Sequence, residues 1–289
     1  AACLTGTDTQ AIANLPNIGE RRNEFVISLV DSHYYVHQGF CVAGGTLRKI
    51  GSKDAVTLEN YVEAIGPKTA AVVYFLGSQP IEDLPAIVAA AHAQDVPVIV
   101  DAAAQLPPRS NLIDLPAMRC DMTVFSGGKG LFGPQSTGLI LGRKDLIEAC
   151  HLNSNPHSAI GRGMKVGKEE ICALLRAVEL FFEMDEAAVV AEWERRCRII
   201  AEAVADIDGI EADFTKAYEN KFPPASPLVH LHFADDAVKS AADTLEELEA
   251  GEPSILAAGG GSSLTVGPQT LQEGEAEIIA ERLRQILAG

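Results

Sequence analysis

Short apolar runs alternate with amphipathic stretches through the first half of this chain, and this alternation restricts the fold more than any other feature. The stretches 58–65 and 84–94 carry apolar residues at helical spacing, whereas the runs around them have the length of strands. Such alternation is typical of βαβ crossovers, which build a mostly parallel sheet with helices on both faces. We therefore predict an α/β fold. Its strands are expected at 25–30, 47–50, 70–76, 96–100, 122–125 and 138–141.

The pattern changes near Lys168, where a composition shift marks a second region. A long helix is expected from Lys168 to about Ile207, and its apolar stripe consists of Ile171, Leu174, Leu175, Val178 and Phe182. Further strands are expected at 228–233, 255–258 and 263–266, with helices at 237–249 and 274–287. The sequence thus predicts a large domain over residues 1–167, and over 168–289 a long linking helix with a smaller α+β C-terminal domain.

Charge and cysteine content exclude several classes of protein. The chain has 289 residues, and 40 Asp and Glu against 23 Lys and Arg give a net charge of −17, which disfavours nucleic acid and anionic lipid as partners. No apolar run approaches the roughly 18–20 residues that a membrane span needs. The 6 cysteines are widely spaced without a C-x-x-C pair, so we expect reduced thiols in a cytoplasmic protein and no metal site.

Asp101 ends the apolar run Val98-Ile99-Val100, which is expected to be a buried strand. Open α/β sheets bind ligands at the carboxyl ends of their strands, so this carboxylate is a candidate ligand-binding group. An N-cap for a following helix is an equally weighted interpretation. Asp101 alone therefore does not decide the function.

Lys129 lies in a glycine loop, 126–130, that follows the strand expected at 122–125. Glycines around a lysine leave room for a bulky ligand, and a lysine that loses hydration in such a pocket becomes a nucleophilic amine. A phosphate-binding loop is the alternative. The P-loop pattern fails, because Thr123 replaces its first Gly and Gly130 its hydroxyl residue. A dinucleotide site needs a helix where 134–141 predicts a turn and a strand.

An acid at one strand end and a lysine at a later one are what pyridoxal phosphate requires, since the acid protonates the ring nitrogen and the lysine holds the aldehyde carbon. Three segments then carry a family resemblance: VDAAAQLPP at 100–108, FSGGKGLFGPQSTG at 125–138 and GRGMKVGKEE at 161–170. With them the chain resembles, over essentially its whole length, the bacterial group of selenocysteine synthase and D-glucosaminate-6-phosphate ammonia-lyase. The resemblance implies the aspartate-aminotransferase-like fold, pyridoxal-phosphate fold type I.

The resemblance also assigns roles at the cofactor. Lys129 would be the Schiff-base lysine and Asp101 the partner of the pyridinium nitrogen. Ala103 would pack on one face of the ring, with ordinary helix packing as the alternative. Ser126 would contact the cofactor phosphate, unless it is only a turn residue. His33 follows the first strand, where relatives place a residue stacked over the ring, and a structural role is as strongly expected.

Arg162 and Lys165 match the region in which selenocysteine synthase has two arginines that bind an anion in the substrate site. The lysine keeps the charge but lacks the bidentate geometry of arginine. Both residues are therefore predicted to bind an anionic amino-acid substrate, and a solvated pair near a helix start is the alternative.

The function that the resemblance implies is an ammonia-lyase, which removes water and ammonia from a small polar amino acid such as D-glucosaminate 6-phosphate. Selenium transfer to seryl-tRNA is the alternative, and it needs a basic surface that a charge of −17 does not favour. A third possibility is a non-catalytic member of the family. The resemblance implies a homo-oligomer, and members of this group have a further N-terminal region that this sequence lacks, including a helix N-terminus that holds the cofactor phosphate.

Overall fold

The computed structural model describes residues 1–215 and 226–288. The chain divides into two compact units, Ala1–Glu183 and Met184–Gly289, which are called here the large unit and the small unit. No helix in these two described stretches is both long enough and apolar enough to cross a membrane.

The large unit is built on one mixed sheet. In chain order its strands are β1 (Glu24–Ser28), β2 (Thr46–Ile50), β3 (Thr69–Phe75), β4 (Val98–Asp101), β5 (Met122–Ser126) and β6 (Gly138–Gly142). They lie side by side in the order β2-β1-β3-β4-β5-β6. The first five pair in parallel, and β6 runs antiparallel to β5. All six strands predicted from the apolar runs are present, with ends that differ by no more than two residues.

Helices precede, connect and follow these strands. They are α1 (Ala2–Thr5), α2 (Thr9–Asn14), α3 (Tyr34–Cys41), α4 (Leu58–Ala64), α5 (Leu84–His92), α6 (Asn111–Ala117), α7 (Lys144–Leu152) and α8 (Lys168–Glu183). The two helices predicted from apolar spacing correspond to α4 and α5. A capping box starts α4, because the Thr57 hydroxyl accepts from the Asn60 backbone N–H while the Asn60 side chain accepts from Thr57 N–H.

The core of the large unit lies along the central strands. Every residue of β3 is buried, as a strand covered on both faces by helices requires. Complete burial of a side chain such as Val72 or Phe75 stabilises the fold by roughly 1.5–3 kcal/mol. This continuous apolar packing holds the carboxyl ends of β1, β3, β4 and β5 in fixed relative positions.

The long helix predicted from Lys168 to about Ile207 is two helices, α8 and α9 (Glu186–Glu202). Asp185 separates them, because its carboxylate accepts a hydrogen bond from the Ala188 backbone N–H and so caps a new helix. Contacts place α8 in the large unit, whereas the sequence pattern put the domain boundary before it, after residue 167.

The face of α8 that packs coincides only in part with the predicted apolar stripe, of which Leu174 and Val178 are half-buried. Ala177 and Phe181 are buried, whereas Ile171, Leu175 and Phe182 are exposed. The buried face lies on the loop that follows β5, where a Cβ added at Gly133 would be 3.2 Å from Leu174 Cδ1 and 3.4 Å from Ala177 Cβ. This contact accounts for the place of α8 in the large unit.

The small unit is an α+β arrangement. Its antiparallel sheet has the order β7-β8-β10-β9 and consists of β7 (Ile210–Thr215), β8 (Leu228–Phe233), β9 (Ala258–Gly260) and β10 (Ser263–Val266). Its helices are α9, α10 (Ala241–Glu249) and α11 (Glu275–Leu287). The core includes the buried residues Ile200, Leu231, Leu248, Leu264 and Leu283. The strand predicted at 255–258 begins only at Ala258, and the irregular chain before it packs Ile255 and Ala257 against the core while Leu256 is exposed.

Candidate active site

The order of strands defines where a ligand can bind in the large unit. From β1 the chain passes to β2 on one side, while β3, β4 and β5 extend on the other side. The direction of winding therefore reverses between β1 and β3. Open α/β sheets bind ligands outside the carboxyl ends of their strands at such a switch point. Asp101, Lys129 and His33 all follow or end strands at this edge.

Asp101 is the last residue of β4 and pairs in register with Phe75 of β3 and Val124 of β5. Its Oδ1 accepts the Ala103 backbone N–H at 3.0 Å. The next helix, α6, begins only at Asn111, so Asp101 is not the N-cap that one interpretation of the sequence allowed. Ala103 likewise lies outside any helix. No hydrogen bond to Asp101 Oδ2 is found in the described part of the chain.

Burial raises the pKa of the Asp101 carboxyl above its ordinary value. The Ala103 N–H lowers that pKa, the negative charge of Asp31 raises it, and the charges of Lys129 and His33 lower it. These groups follow β1, β4 and β5, so residues from three strand ends act on the Asp101 carboxyl.

The glycine loop that carries Lys129 packs tightly against its neighbours. A Cβ added at Gly127 would lie 1.9 Å from Thr137 Oγ1, and one at Gly130 would lie 2.0 Å from the Leu106 carbonyl oxygen. The sequence interpretation was that these glycines leave room for a ligand. In the structure protein atoms fill that room, so the glycines fix the path of the loop instead.

Lys129 itself is exposed among the described residues, whereas the sequence pattern predicted a lysine enclosed in a pocket. Its carbonyl accepts the Phe132 backbone N–H at 2.8 Å, which closes a tight turn directly after the lysine. The backbone is thus held, while the side chain is exposed at the carboxyl edge of the sheet.

Ser126 and Ala103 are joined directly, since the Ser126 backbone N–H donates to the Ala103 carbonyl at 3.2 Å. Both residues are half-buried. In the described residues the Ser126 hydroxyl has no hydrogen-bond partner. These two predicted cofactor contacts therefore lie beside each other between Asp101 and Lys129.

His33 is held by Asp31, a buried residue that sequence reasoning missed. Asp31 Oδ2 lies 2.8 Å from His33 Nδ1, and Asp31 Oδ1 accepts the His33 backbone N–H at 2.8 Å. A carboxylate two residues before a histidine, just after a strand, was the available signal. His37 is buried instead and stacks on Phe75 with ring centroids 5.6 Å apart.

Arg162 and Lys165 lie farther along the chain, at a single 3₁₀ turn (Arg162–Met164) and just after it. Both are exposed, and the Arg162 guanidinium donates to the Asn155 side-chain oxygen. In residues 1–215 and 226–288 no hydrogen bond or ion pair joins either cation to Asp101, Lys129 or His33. Their part in substrate binding therefore stays a prediction.

A carboxylate at the end of one strand and a lysine after the next strand, at the same edge of the sheet, are typical of fold-type-I pyridoxal-phosphate enzymes. The family described as aminotransferase class-V matches residues 9–162, which is more than half of the chain. This chain belongs to the aminotransferase class-V family.

Two curated relatives match almost the whole chain. A 5'-C-glycyluridine monooxygenase-decarboxylase from a Streptomyces species is 32% identical, with 99% of this chain and 72% of that protein covered. A D-glucosaminate-6-phosphate ammonia lyase from Salmonella typhimurium is 30% identical, with 99% and 76% covered. An L-seryl-tRNA(Sec) selenium transferase from Nitratidesulfovibrio vulgaris is 30% identical, but over only 50% of this chain and 33% of that protein.

Solved structures agree with this assignment. The structure of D-glucosaminate-6-phosphate ammonia-lyase matches with a TM-score of 0.76 and 28% identity, over 99% of this chain and 77% of that one. An aspartate aminotransferase from Thermus thermophilus matches with a TM-score of 0.56 and 16% identity, over 92% of this chain and 78% of that one. The second likeness concerns the fold alone. The predicted fold and family resemblance are both confirmed.

Proposed function

We propose that this chain is a pyridoxal-phosphate-dependent ammonia-lyase that acts on a small polar amino acid, in particular a phosphorylated amino-sugar acid such as D-glucosaminate 6-phosphate. The observation that carries this proposal is the position of the Asp101 carboxylate and the Lys129 amine at one sheet edge, close enough for their charges to interact. Similarity to the Salmonella lyase over 99% of the chain supports the substrate class.

The residues at this edge fit pyridoxal phosphate. Asp101 has one carboxylate oxygen bonded to Ala103 N–H and the other without a partner in the described residues, as a group that receives a ring N–H needs. The exposed Lys129 amine would hold the aldehyde carbon. The unpartnered Ser126 hydroxyl would contact the phosphate, Ala103 one ring face, and His33 the ring as well.

Pyridoxal phosphate, when bound, supplies an electron sink for the pair left when a bond to the substrate α-carbon breaks. Lys129 Nζ, released when the substrate amine takes its place at the aldehyde carbon, would be the general base that takes the α-proton. The same amine, once protonated, returns a proton to the β-hydroxyl, which leaves as water. Hydrolytic release of ammonia then gives a 2-keto-3-deoxy acid. Asp101 contributes by keeping a negative charge beside the ring nitrogen, which stabilises its protonated form.

Substrate binding would use Arg162 and Lys165. Both side chains are exposed, so they can meet an anion without a large desolvation cost. A phosphate or carboxylate needs local cations in a protein whose net charge is −17. The two residues stand three positions apart and can contact one anion together.

A second candidate is a monooxygenase-decarboxylase reaction, favoured by the match with the Streptomyces protein, which is 32% identical over 99% of this chain. Such a reaction consumes oxygen and releases carbon dioxide, whereas the lyase reaction does neither. Selenium transfer to seryl-tRNA has less support, because that match covers half of the chain and the net charge disfavours RNA.

We further propose that the protein is a cytoplasmic homo-oligomer. Exposed apolar side chains on α8, among them Ile171 and Leu175, support a subunit contact. Light scattering should give a mass of at least two chains, and a monomer at micromolar concentration would contradict this proposal.

The experiment for the function measures ammonia, 2-keto acid and oxygen uptake after the purified protein, supplied with pyridoxal phosphate, receives D-glucosaminate 6-phosphate. We expect equal amounts of ammonia and keto acid, no oxygen uptake, and no product with Lys129→Ala. Lys144→Ala is a matched control, since Lys144 is an exposed lysine at the start of α7. Binding of the cofactor without turnover of any amino acid would instead indicate a non-catalytic member.

A further inference from the structure

Asp31 is a buried carboxylate with no role in the function proposed above. It follows β1 by three residues and is only 4% exposed. A buried carboxylate is stable in a protein only when hydrogen bonds replace its hydration. Among the described residues Asp31 accepts two hydrogen bonds, and both come from His33, one from its backbone N–H and one from ring Nδ1, each 2.8 Å long. Asp31 and His33 therefore form one structural unit.

The contact determines which ring nitrogen of His33 carries the proton. An ionised carboxylate only accepts hydrogen bonds, so Nδ1 must be the N–H that faces Asp31. In the neutral ring Nε2 then has a free lone pair. Asp31 is buried whereas the His33 side chain is 56% exposed, so Nε2 lies on the open side of the ring.

Asp31 and His33 lie at the same edge of the sheet as the candidate active site. β1 lies next to β3, and Asp101 of β4 pairs in register with Phe75 of β3, so the end of β1 is two strands away from that carboxylate. The charges of both His33 and Asp31 act on Asp101, which places the pair within electrostatic range of the site.

His37 does not compete for Asp31. Its Nε2 is 3.8 Å from Asp31 Oδ1, which is too long for a hydrogen bond. Neither ring nitrogen of His37 has a hydrogen-bond partner in the described residues, and the ring stacks on Phe75. His37 therefore makes no hydrogen bond to Asp31. Among the described residues, both carboxylate oxygens of Asp31 accept hydrogen bonds from His33.

We propose that Asp31 is a positioning residue, which fixes His33 in the Nδ1–H form so that Nε2 is a hydrogen-bond acceptor toward the cofactor and substrate. Only the kinetic part of this inference rests on the proposed function. The tautomer is a property of the protein itself and can be measured without turnover.

Asp31→Asn gives a sharp test, because the two carboxylate oxygens have different tasks. The amide oxygen of Asn replaces Oδ1 and still accepts the His33 backbone N–H. The amide nitrogen then replaces Oδ2 and can only donate, so Nδ1 must become an acceptor and the proton moves to Nε2. The same logic applies to the aspartate of serine-protease triads, whose replacement by Asn produces the wrong histidine tautomer.

The measurement is ¹⁵N NMR of histidine-labelled protein carrying its cofactor, with the His33 signals assigned from their loss in His33→Gln. We expect a protonated Nδ1 and an unprotonated Nε2 for neutral His33 in the wild type, and the reverse in Asp31→Asn. Asp54→Asn is the control, because Asp54 is exposed and accepts no side-chain hydrogen bond among the described residues. A wild-type proton on Nε2 would overturn the proposal, and this arm needs no variant to fold.

A second test of the proposal measures kcat. Asp31→Asn should lower kcat about 10- to 10²-fold, the size of effect expected when one hydrogen bond to the cofactor or substrate is lost, with cofactor absorbance retained. In a His33→Gln background the same change should alter kcat by less than about twofold, because residues that act as a unit are not additive. A similar loss in both backgrounds would mean that Asp31 acts independently of His33. If the protein turns over no amino acid, the NMR arm still decides the tautomer.

Discussion

The backbone N–H of Ser126 donates to the carbonyl of Ala103 at 3.2 Å, and this bond ties the turn after Asp101 to the end of the strand that leads to Lys129. The Asp101 carboxylate and the Lys129 amine are thus linked through two short segments, 101–103 and 126–129. Each segment starts at the end of a parallel strand, β4 or β5. A rigid connection of this kind is what a site needs in order to hold one ligand at two points.

Asp101→Asn should leave the cofactor bound but lower turnover at least about 10²-fold, because an amide cannot keep the ring nitrogen protonated. The Ala103 N–H still finds an oxygen acceptor in Asn, so the local turn should persist. Cofactor occupancy from visible absorbance and kcat from ammonia release separate the two effects. Wild-type activity in the Asn variant would remove Asp101 from the mechanism.

Burial of Asp101 also predicts how the stability of the protein depends on pH. Because burial raises the folded-state pKa of Asp101 above its ordinary value of 3.8, the folded protein binds this proton more tightly than the unfolded chain does. The stabilisation that comes from this bound proton is fully present below pH 3.8, and it is lost as the pH rises through the raised folded-state pKa of Asp101. Cofactor-free Asp101→Asn should therefore resist urea better than the wild type at neutral pH, and this advantage should shrink toward acid pH. A less stable Asn variant at neutral pH would contradict the role of burial.

Gly127→Ala should destabilise the large unit by about 1–3 kcal/mol, since its Cβ would lie 1.9 Å from Thr137 Oγ1 in a tightly packed loop. Gly39→Ala is the matched control, because nothing lies within 4 Å of its Cβ and the residue is in α3. Alanine there should instead stabilise by about 0.4–1 kcal/mol. Urea unfolding of both variants checks the opposite signs. Equal effects would mean that the close packing of the Lys129 loop is not real.

Much of this fold could be predicted from sequence, since buried parallel strands are written as continuous apolar runs such as Val98-Ile99-Val100. The break between α8 and α9 could not, because Asp185 is one of several acidic residues in an amphipathic stretch and only geometry shows that it caps a helix. β7 was missed because its alternation in Ile-Glu-Ala-Asp-Phe-Thr is weak and acidic.

Some residues of the candidate site could likewise be predicted from the sequence, whereas others could not. Asp101 and Lys129 could be named because each is a reactive side chain at the end of an apolar strand. Asp31 could not, because its importance depends on burial and on a contact with His33 that only the three-dimensional structure contains. The glycines around Lys129 were recognised, but their physical reason is contact with Thr137 and Leu106.

Arg162→Ala should weaken kcat/KM for a phosphorylated amino-sugar acid about ten- to a hundredfold, since a charge-assisted hydrogen bond contributes roughly 1.5–3 kcal/mol. An unphosphorylated analogue should be almost unaffected. Lys168→Ala is a useful control, because Lys168 is an exposed cation nearby with only a 3.8 Å contact to Glu169. If both substrates lost efficiency equally, Arg162 would bind the carboxylate or support the fold instead of the phosphate.

The central claim is that pyridoxal phosphate is bound to Lys129. Borohydride reduction of the purified protein with its cofactor, followed by proteolysis and mass spectrometry, tests this most directly, because reduction makes the lysine attachment permanent. We predict a single modified peptide that contains Lys129, together with loss of the visible absorbance band in Lys129→Ala. A modified peptide that contains Lys144 or Lys165 instead, or no modified peptide at all, would contradict the assignment.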